Sequence, residues 1–516
     1  MGIVADRARQ DAAPLRQRRS FLWDCWTVLT SSHVATALGV ATSYVVRHWL
    51  APRLVGIWSA VRLVLDYASF ADLGATRAAA VEIAVATGAG DKRRALRAVS
   101  TTMAIELAAA GAVSILLLAA AATAYARDRL DWAVAFLATV LLLFVRRALT
   151  LALTTLRSSL DFTVPAWSRI VGAVLELVLL AGGAVLFGLP GLLAGAVCAE
   201  AANLVFVTRT RALHLWPAWH HATATRLIRS GAPLAAGALA LMAVRSIERA
   251  IVIIFARDGE LMLGLYTTAL LISTRVFDQA NLVSNVLFPR MGIRLAETRD
   301  PDEVLLLGFQ GATLLSLMLV PVAVGAALVG VPLTAWLLPR YRPGLTAVWG
   351  ALVASVALGG SLPLRHALVT LGYSWRMCAA YAAAALCAAV ATLTCVRYAP
   401  GNLPLVAWAA AAGSLSASLL LSIVSTCGRR RLIARLWLYW AAACYPTALL
   451  ASMQWLASSG WFWLTACGLV GATPPAIIVW YAWQRRRQSQ PPTSSGSSDA
   501  AAVDPVENHT SGEQIE

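Results

Sequence analysis

Long apolar runs recur along nearly the whole chain, separated by short polar or basic breaks. A helix needs about 20 apolar residues to cross a bilayer, and these runs reach that length. The pattern predicts fourteen spanning helices. The first six cover Phe21–Val46, Val55–Val85, Val99–Ala124, Trp132–Leu156, Trp167–Phe187 and Leu189–Val207. The next six cover Ala232–Ala256, Met262–Phe288, Val304–Val329, Leu345–Leu371, Trp375–Val396 and Leu403–Thr426. A last pair covers Leu432–Leu456 and Trp461–Trp483. The fifth and sixth meet at Gly188–Leu189–Pro190–Gly191, a tight turn between spans.

Composition agrees with the pattern. Of 516 residues, 59% are hydrophobic and 13% charged, against about 25% charged in a soluble domain. The expected class is an all-α, polytopic membrane protein. Net charge is +16, carried almost wholly by arginine, with Lys92 the one lysine. Basic residues gather in alternate loops: Arg16, Arg18 and Arg19; Lys92 to Arg97; Arg209 to Arg229; Arg290 to Arg299; Arg429 to Arg435; and Arg485 to Arg487. That excess marks the cytoplasmic side and predicts a multi-pass protein of the cell membrane with both termini cytoplasmic. It explains the net charge without nucleic-acid binding. The eight cysteines sit in or beside apolar segments, without metal or disulfide spacing. No cofactor is expected. The expected organisation is a cytoplasmic segment 1–20, helices one to six over 21–208, and a basic linker 209–230. Helices seven to twelve follow over 231–428, the last pair over 429–484, and a disordered Ser- and Pro-rich tail over 485–516.

Charge inside the spans changes the picture from scaffold to site. An ionisable residue at membrane depth is expensive and faces a bundle interior or a watery cavity. The stretch from Val55 to Arg77 carries Arg62, Asp66, Asp72 and Arg77. Arg62 and Asp66 are four residues apart, on one helical face. The sequence Ala71–Asp72–Leu73–Gly74 predicts a break, because Asp72 can bond nearby backbone and Gly74 relaxes the dihedral limits. Arg146 and Arg147 lie in the fourth span, Arg245, Glu248 and Arg249 in the seventh, and Arg275 and Asp278 in the eighth. Glu106, Glu176 and Glu200 are isolated acids, of which Glu106 and Glu176 are expected as buried partners of arginines. Arg62, Asp66, Arg146, Arg147, Arg245, Arg249 and Arg275 are the expected cavity residues. No Asp or Glu occurs from Val304 to Ser498. Any coupling to a cation by a carboxylate therefore falls to Glu248, Asp278, Asp66 or Asp72.

The chain also repeats itself weakly. Leu54 to Ala60 can be laid on Met262 to Thr268, about 208 residues apart, which is six helices. Each copy follows a polar outside turn and runs into a helix bearing Arg and Asp. Two parallel repeats bind substrate between them near the midplane. The turn followed by Gly56–Ile57–Trp58 or Gly264–Leu265–Tyr266, the later Ala71–Gly74 motif, and Ile247–Glu248–Arg249 together resemble polysaccharide flippases. These form part of the multidrug/oligosaccharidyl-lipid/polysaccharide exporter (MOP) superfamily. The resemblance covers helices one to twelve, with helices thirteen and fourteen as an added pair. It departs from the family pattern at Glu248, where Asp is usual.

The resemblance implies two six-helix lobes around a central cavity that opens to each side in turn. It implies a polyprenyl-diphosphate-linked glycan as cargo, moved across the cytoplasmic membrane for surface polysaccharide such as lipopolysaccharide or exopolysaccharide. Polysaccharide polymerases and glycosyltransferases would be its partners, with membrane lipids around it. Arginine forks suit a diphosphate, which they bind bidentately. Two other functions stay open. An organic-cation antiporter of the same superfamily would carry net negative charge in its cavity. A membrane glycosyltransferase or polymerase would need acids or a large domain outside, where Asp128, Asp131, Asp258 and Glu260 are all that is available. No nucleotide-binding loop of the GxxxxGK[ST] type is present, and a non-enzymatic transporter is expected.

Overall fold

The computed structural model describes residues 30–159, 161–211 and 215–456, with single helical positions at 27 and between 465 and 475. The N-terminal segment, most of the fourteenth predicted helix and the tail lie outside the described residues. Within them α1 covers residues 30–49. It is followed by α2 (Pro52–Ala68), α3 (Ala75–Gly88), α4 (Lys92–Ala126), α5 (Leu130–Ser158) and α6 (Thr163–Leu175). A π-helical turn, Glu176–Ala181, leads into α7 (Gly182–Arg211). Then come α8 (His221–Phe255), α9 (Gly259–Thr298), α10 (Pro301–Leu337), a 3-10 segment (Pro339–Ala347), α11 (Val348–Gly360) and α12 (Leu362–Thr370). The remaining helices are α13 (Ser374–Tyr398), α14 (Leu403–Thr426) and α15 (Ile433–Leu456). Eight helical stretches among the described residues are long and apolar enough to cross a membrane. The all-α, multi-pass class is thus observed.

Where element and apolar run differ, local chemistry explains it. The second predicted span is two helices, α2 and α3, broken over 69–74. The tenth is likewise divided, at Ser361 with Pro363 in the first turn of α12. The 188–191 turn appears as Gly188, at φ 65° and ψ −138°, inside the segment that runs from α6 to the end of α7. The two halves fold back on each other. A Cβ on Gly183 would lie 2.2 Å from the Gly191 carbonyl oxygen, and one on Gly195 2.1 Å from that of Leu179. Small residues let backbones approach this closely. The predicted linker is largely helical: α8 begins at His221, not Ala232. Ala224, Leu227 and Gly231 form a buried stripe while Arg226 and Arg229 stay exposed. That stripe packs against Ala75, Ala78, Ile83, Ala98 and Val99 of α3 and α4.

The largest apolar core is built almost wholly from α8 to α15. A second joins α1, α2, α5 and α7, with Tyr341 from the later half. The two halves meet most closely where α2 crosses α9. A Cβ on Gly56 would stand 1.8 Å from the Glu260 carbonyl oxygen, and one on Gly264 1.7 Å from that of Pro52. The repeated segments therefore face each other across the crossing. Side chains reinforce this predicted outer end. Tyr341 donates to the Leu50 carbonyl at 2.8 Å, and Arg47 to that of Thr267 at 3.2 Å. Glu260 accepts from Arg53 at 2.5 Å and from Trp132 at 2.6 Å.

Main-chain clashes cannot be relieved by turning a side chain. Gly56→Val is expected to destabilise the protein by about 1–3 kcal/mol or more. Gly39→Val, with nothing within 4 Å of the new Cβ, serves as control. Thermal unfolding in one detergent would check it, and equal midpoints for the two variants would contradict this packing.

Candidate functional site

The site is built around the break between α2 and α3. Leu73 and Gly74 both take positive φ, 51° and 82°, which turns the chain before α3 begins. The Asp72 carboxylate accepts from the Gly74 N–H at 3.0 Å and the Thr76 N–H at 2.9 Å, so it caps the first turn of α3. At the other side of the break, the Arg147 guanidinium donates to the carbonyls of Ala68 and of Ser69, the latter at 3.2 Å. A cation there also opposes the negative end of α2. Arg147 pairs with Glu106 at 2.8 Å, both side chains buried, and Glu106 accepts from the Thr76 hydroxyl. One buried pair from α4 and α5 thus holds both ends of the break.

Beside the break lies a cavity of about 430 Å³ that follows α5 from Leu143 to Ser158, its predicted cytoplasmic end. Arg77, Arg146, Arg147 and Arg157 line it, with Asp72 and Glu106 as the only carboxylates. Both carboxylates are already engaged, so the free charge is positive. Arg146 reaches Asp66 at 3.5 Å, with both half-exposed. The Arg62–Asp66 neighbours therefore separate: Asp66 turns to α5, and Arg62 is exposed with no ion pair among the described residues. Glu200 of α7 is within electrostatic reach of Arg146, Arg62 and Glu176.

The later half contributes from α8 and α9. The Arg245 guanidinium lies 3.9 Å from the Phe277 ring centre, within electrostatic reach of Asp278 and of Asp66 from the other half. Arg275 and Asp278 pair at 3.6 Å on the exposed side of α9. Glu248 is 2% exposed, 3.8 Å from the Arg249 guanidinium and within electrostatic reach of Tyr266 of the repeated Gly264–Tyr266 motif. Across the two halves, Asp66 and Arg245 are thus within electrostatic reach of each other. Arg147 and Asp72, in contrast, are held by their own neighbours.

Sequence reasoning passed over three groups. Arg47 falls just past the first predicted span, Phe21–Val46, but α1 runs to residue 49 and carries it against α9, near Arg62. Arg365 and the buried His366 sit in α12, with Arg365 facing Arg77. Their signal was present: two polar residues inside a predicted span, just after Gly–Gly–Ser–Leu–Pro.

The Glu106–Arg147 pair sets a testable requirement. Removing one partner of a buried pair costs about 3–5 kcal/mol, because the other charge is left uncompensated. Glu106→Gln and Arg147→Met should each lower thermal stability strongly, and the double variant should lose less than their sum. Additive losses in a double-mutant cycle would contradict the pairing.

Comparison with known proteins agrees with this architecture. The sequence profile described as "Polysaccharide biosynthesis protein" matches residues 89–340. No curated protein sequence matches. Among solved structures, the fold is similar to a multidrug resistance MATE family transporter of the MOP superfamily in an inward-facing conformation, at 16% identity, 78% of this chain, 95% of that chain and TM-score 0.61. An outward-facing conformation of such a transporter gives 15%, 80%, 96% and 0.56. The lipid II flippase MurJ, inward closed, gives 10%, 89%, 99% and 0.59. Profile match and fold thus agree on a multi-pass membrane protein whose fold is similar to that of MATE transporters and MurJ, and whose residues 89–340 are similar to the polysaccharide biosynthesis family.

Proposed function

We propose that this chain moves a polyprenyl-diphosphate-linked glycan across the cell membrane, from the cytoplasmic to the outer leaflet, by alternating access. The observation that carries this reading is the guanidinium-rich cavity beside the α2–α3 break, lined by Arg77, Arg146, Arg147 and Arg157, to which the proposal adds the other arginines of the spans. Arg62, Arg146, Arg245, Arg249 and Arg275 come from four helices. A diphosphate between them would meet planar donors from several directions. Such charge-assisted bonds are worth more in a low-dielectric cavity than in water.

The carboxylates have a matching part. Asp66 and Asp278 give Arg146, Arg245 and Arg275 a partner while the cavity is empty, and phosphate oxygens take over when cargo enters. The arginines are then held close to their binding geometry, and the pairs re-form on release. With the outer end joined at Gly56 and Gly264, cargo enters from the end marked by Arg157. The lipid chain stays in the bilayer while the polar head crosses. Passage through the outer end requires α2 and α9 to part. An organic-cation antiporter is less well supported, because free carboxylates are outnumbered here.

The test is a leaflet-accessibility assay in liposomes holding a fluorescent polyprenyl-diphosphate sugar and an impermeant quencher. Arg62→Ala and Arg249→Ala should each slow wild-type exchange by about tenfold or more, the scale of one lost charge-assisted contact, without loss of folded protein. No exchange in wild type with several such lipids, alongside uptake of small organic cations, would overturn the proposal.

A further inference from the structure

A second cavity, of about 890 Å³, lies on the opposite face of the α2–α3 break. Its walls are apolar and come from both halves: Leu63 and Val64 of α2, Val113 of α4, and Leu239, Ile253 and Ile254 of α8. Tyr67, Phe70 and Ala71 also line it. The break is therefore a partition. Ser69 and Asp72 face the cationic cavity, while Phe70 and Ala71 face the apolar groove. The Phe70 ring lies 4.8 Å from the Arg77 guanidinium, which seals the partition further.

The rim of the groove has a different character. Arg127, Arg129 and Trp132 stand at its predicted outer end. Arg129 is 3.6 Å from Glu260. Arg127 is exposed and makes no ion pair among the described residues. An apolar slot topped by an unpaired guanidinium and an indole at interface height matches a lipid with an anionic head and hydrocarbon chains. The partition argues against the transported cargo as occupant, since Arg77, Arg146, Arg147 and Arg157 line the other cavity and not this slot.

We infer that this groove binds one anionic phospholipid of the bilayer, its phosphate on Arg127 and its chains between α2, α4 and α8. Because one wall belongs to each half, the bound lipid bridges them. It favours the arrangement in which the outer end is closed, since separating α4 from α8 would tear the slot open. The inference is independent of the cargo.

Native mass spectrometry of the detergent-purified full chain tests it, with phosphatidylglycerol and phosphatidylcholine as probes. Wild type should retain one phosphatidylglycerol roughly tenfold more readily than phosphatidylcholine, the scale of one charge-assisted contact. Arg127→Ala should abolish that preference and Arg127→Lys keep it. Ile253→Trp should fill the slot and reduce both lipids. Unchanged elution and melting temperature would show that each variant is folded, and a second substitution, Leu239→Trp, replaces any that is not. Equal retention of the two lipids by wild type, or an unchanged preference in Arg127→Ala, would overturn the inference. So would displacement of phosphatidylglycerol from the slot by polyprenyl phosphate.

Discussion

The backbone-to-backbone crossing of α2 and α9 sets what the rest of the molecule can do. Gly56 and Gly264 have no side chain to keep the helices apart, so each backbone lies against the other. Nothing larger fits, and the contact is made by the two copies of one repeated segment. It fixes the halves against each other at one end. Arg53, Arg129, Trp132 and Glu260 gather around this point. Their bonds are polar and individually weak, which suits the opening and re-forming that the proposed transport cycle requires.

Below the crossing, the structure spends its acids on holding shape. Glu106 fixes Arg147, Asp72 caps α3, and Asp66 steadies Arg146. Among the described residues, Arg62, Arg77 and Arg157 are left without an ion pair there, as is Glu200. Arginine suits this arrangement better than lysine, because its planar fork stays charged when desolvated and can hold two carbonyls and a carboxylate at once, as Arg147 does. The same α2–α3 break that needs this bracing divides the interior into a cationic side and an apolar side. A single irregular segment of six residues, 69–74, thereby separates two chemical environments.

Much of this was legible in the residues. The Asp72–Gly74 break, the turn at Gly188 and the buried role of Glu106 all follow from local chemistry that survives in the fold. Other features depend on tertiary placement. Asp66 sits four residues from Arg62, yet it turns to Arg146, because α5 packs beside α2 and offers a closer guanidinium. The early start of α8 was hidden because Arg226 and Arg229 read as loop charge. They are instead the polar face of an amphipathic turn whose apolar stripe is only three residues wide. Arg47 falls past the end of the first predicted span, and distance along the chain does not reveal that α1 lies against α9.

If transport proceeds by alternating access about this crossing, its outer end must open in every cycle. The direct measurement uses Arg53→Cys with Glu260→Cys, in a chain whose eight native cysteines are replaced by alanine. A short thiol-reactive linker would join the pair, and lipid-linked glycan exchange between leaflets would be followed in liposomes. The account predicts that the unlinked double variant exchanges lipid, that linking stops exchange, and that reductive release of the linker restores it. Undiminished exchange by the fully linked protein would contradict the account, because cargo would then be crossing without parting α2 from α9.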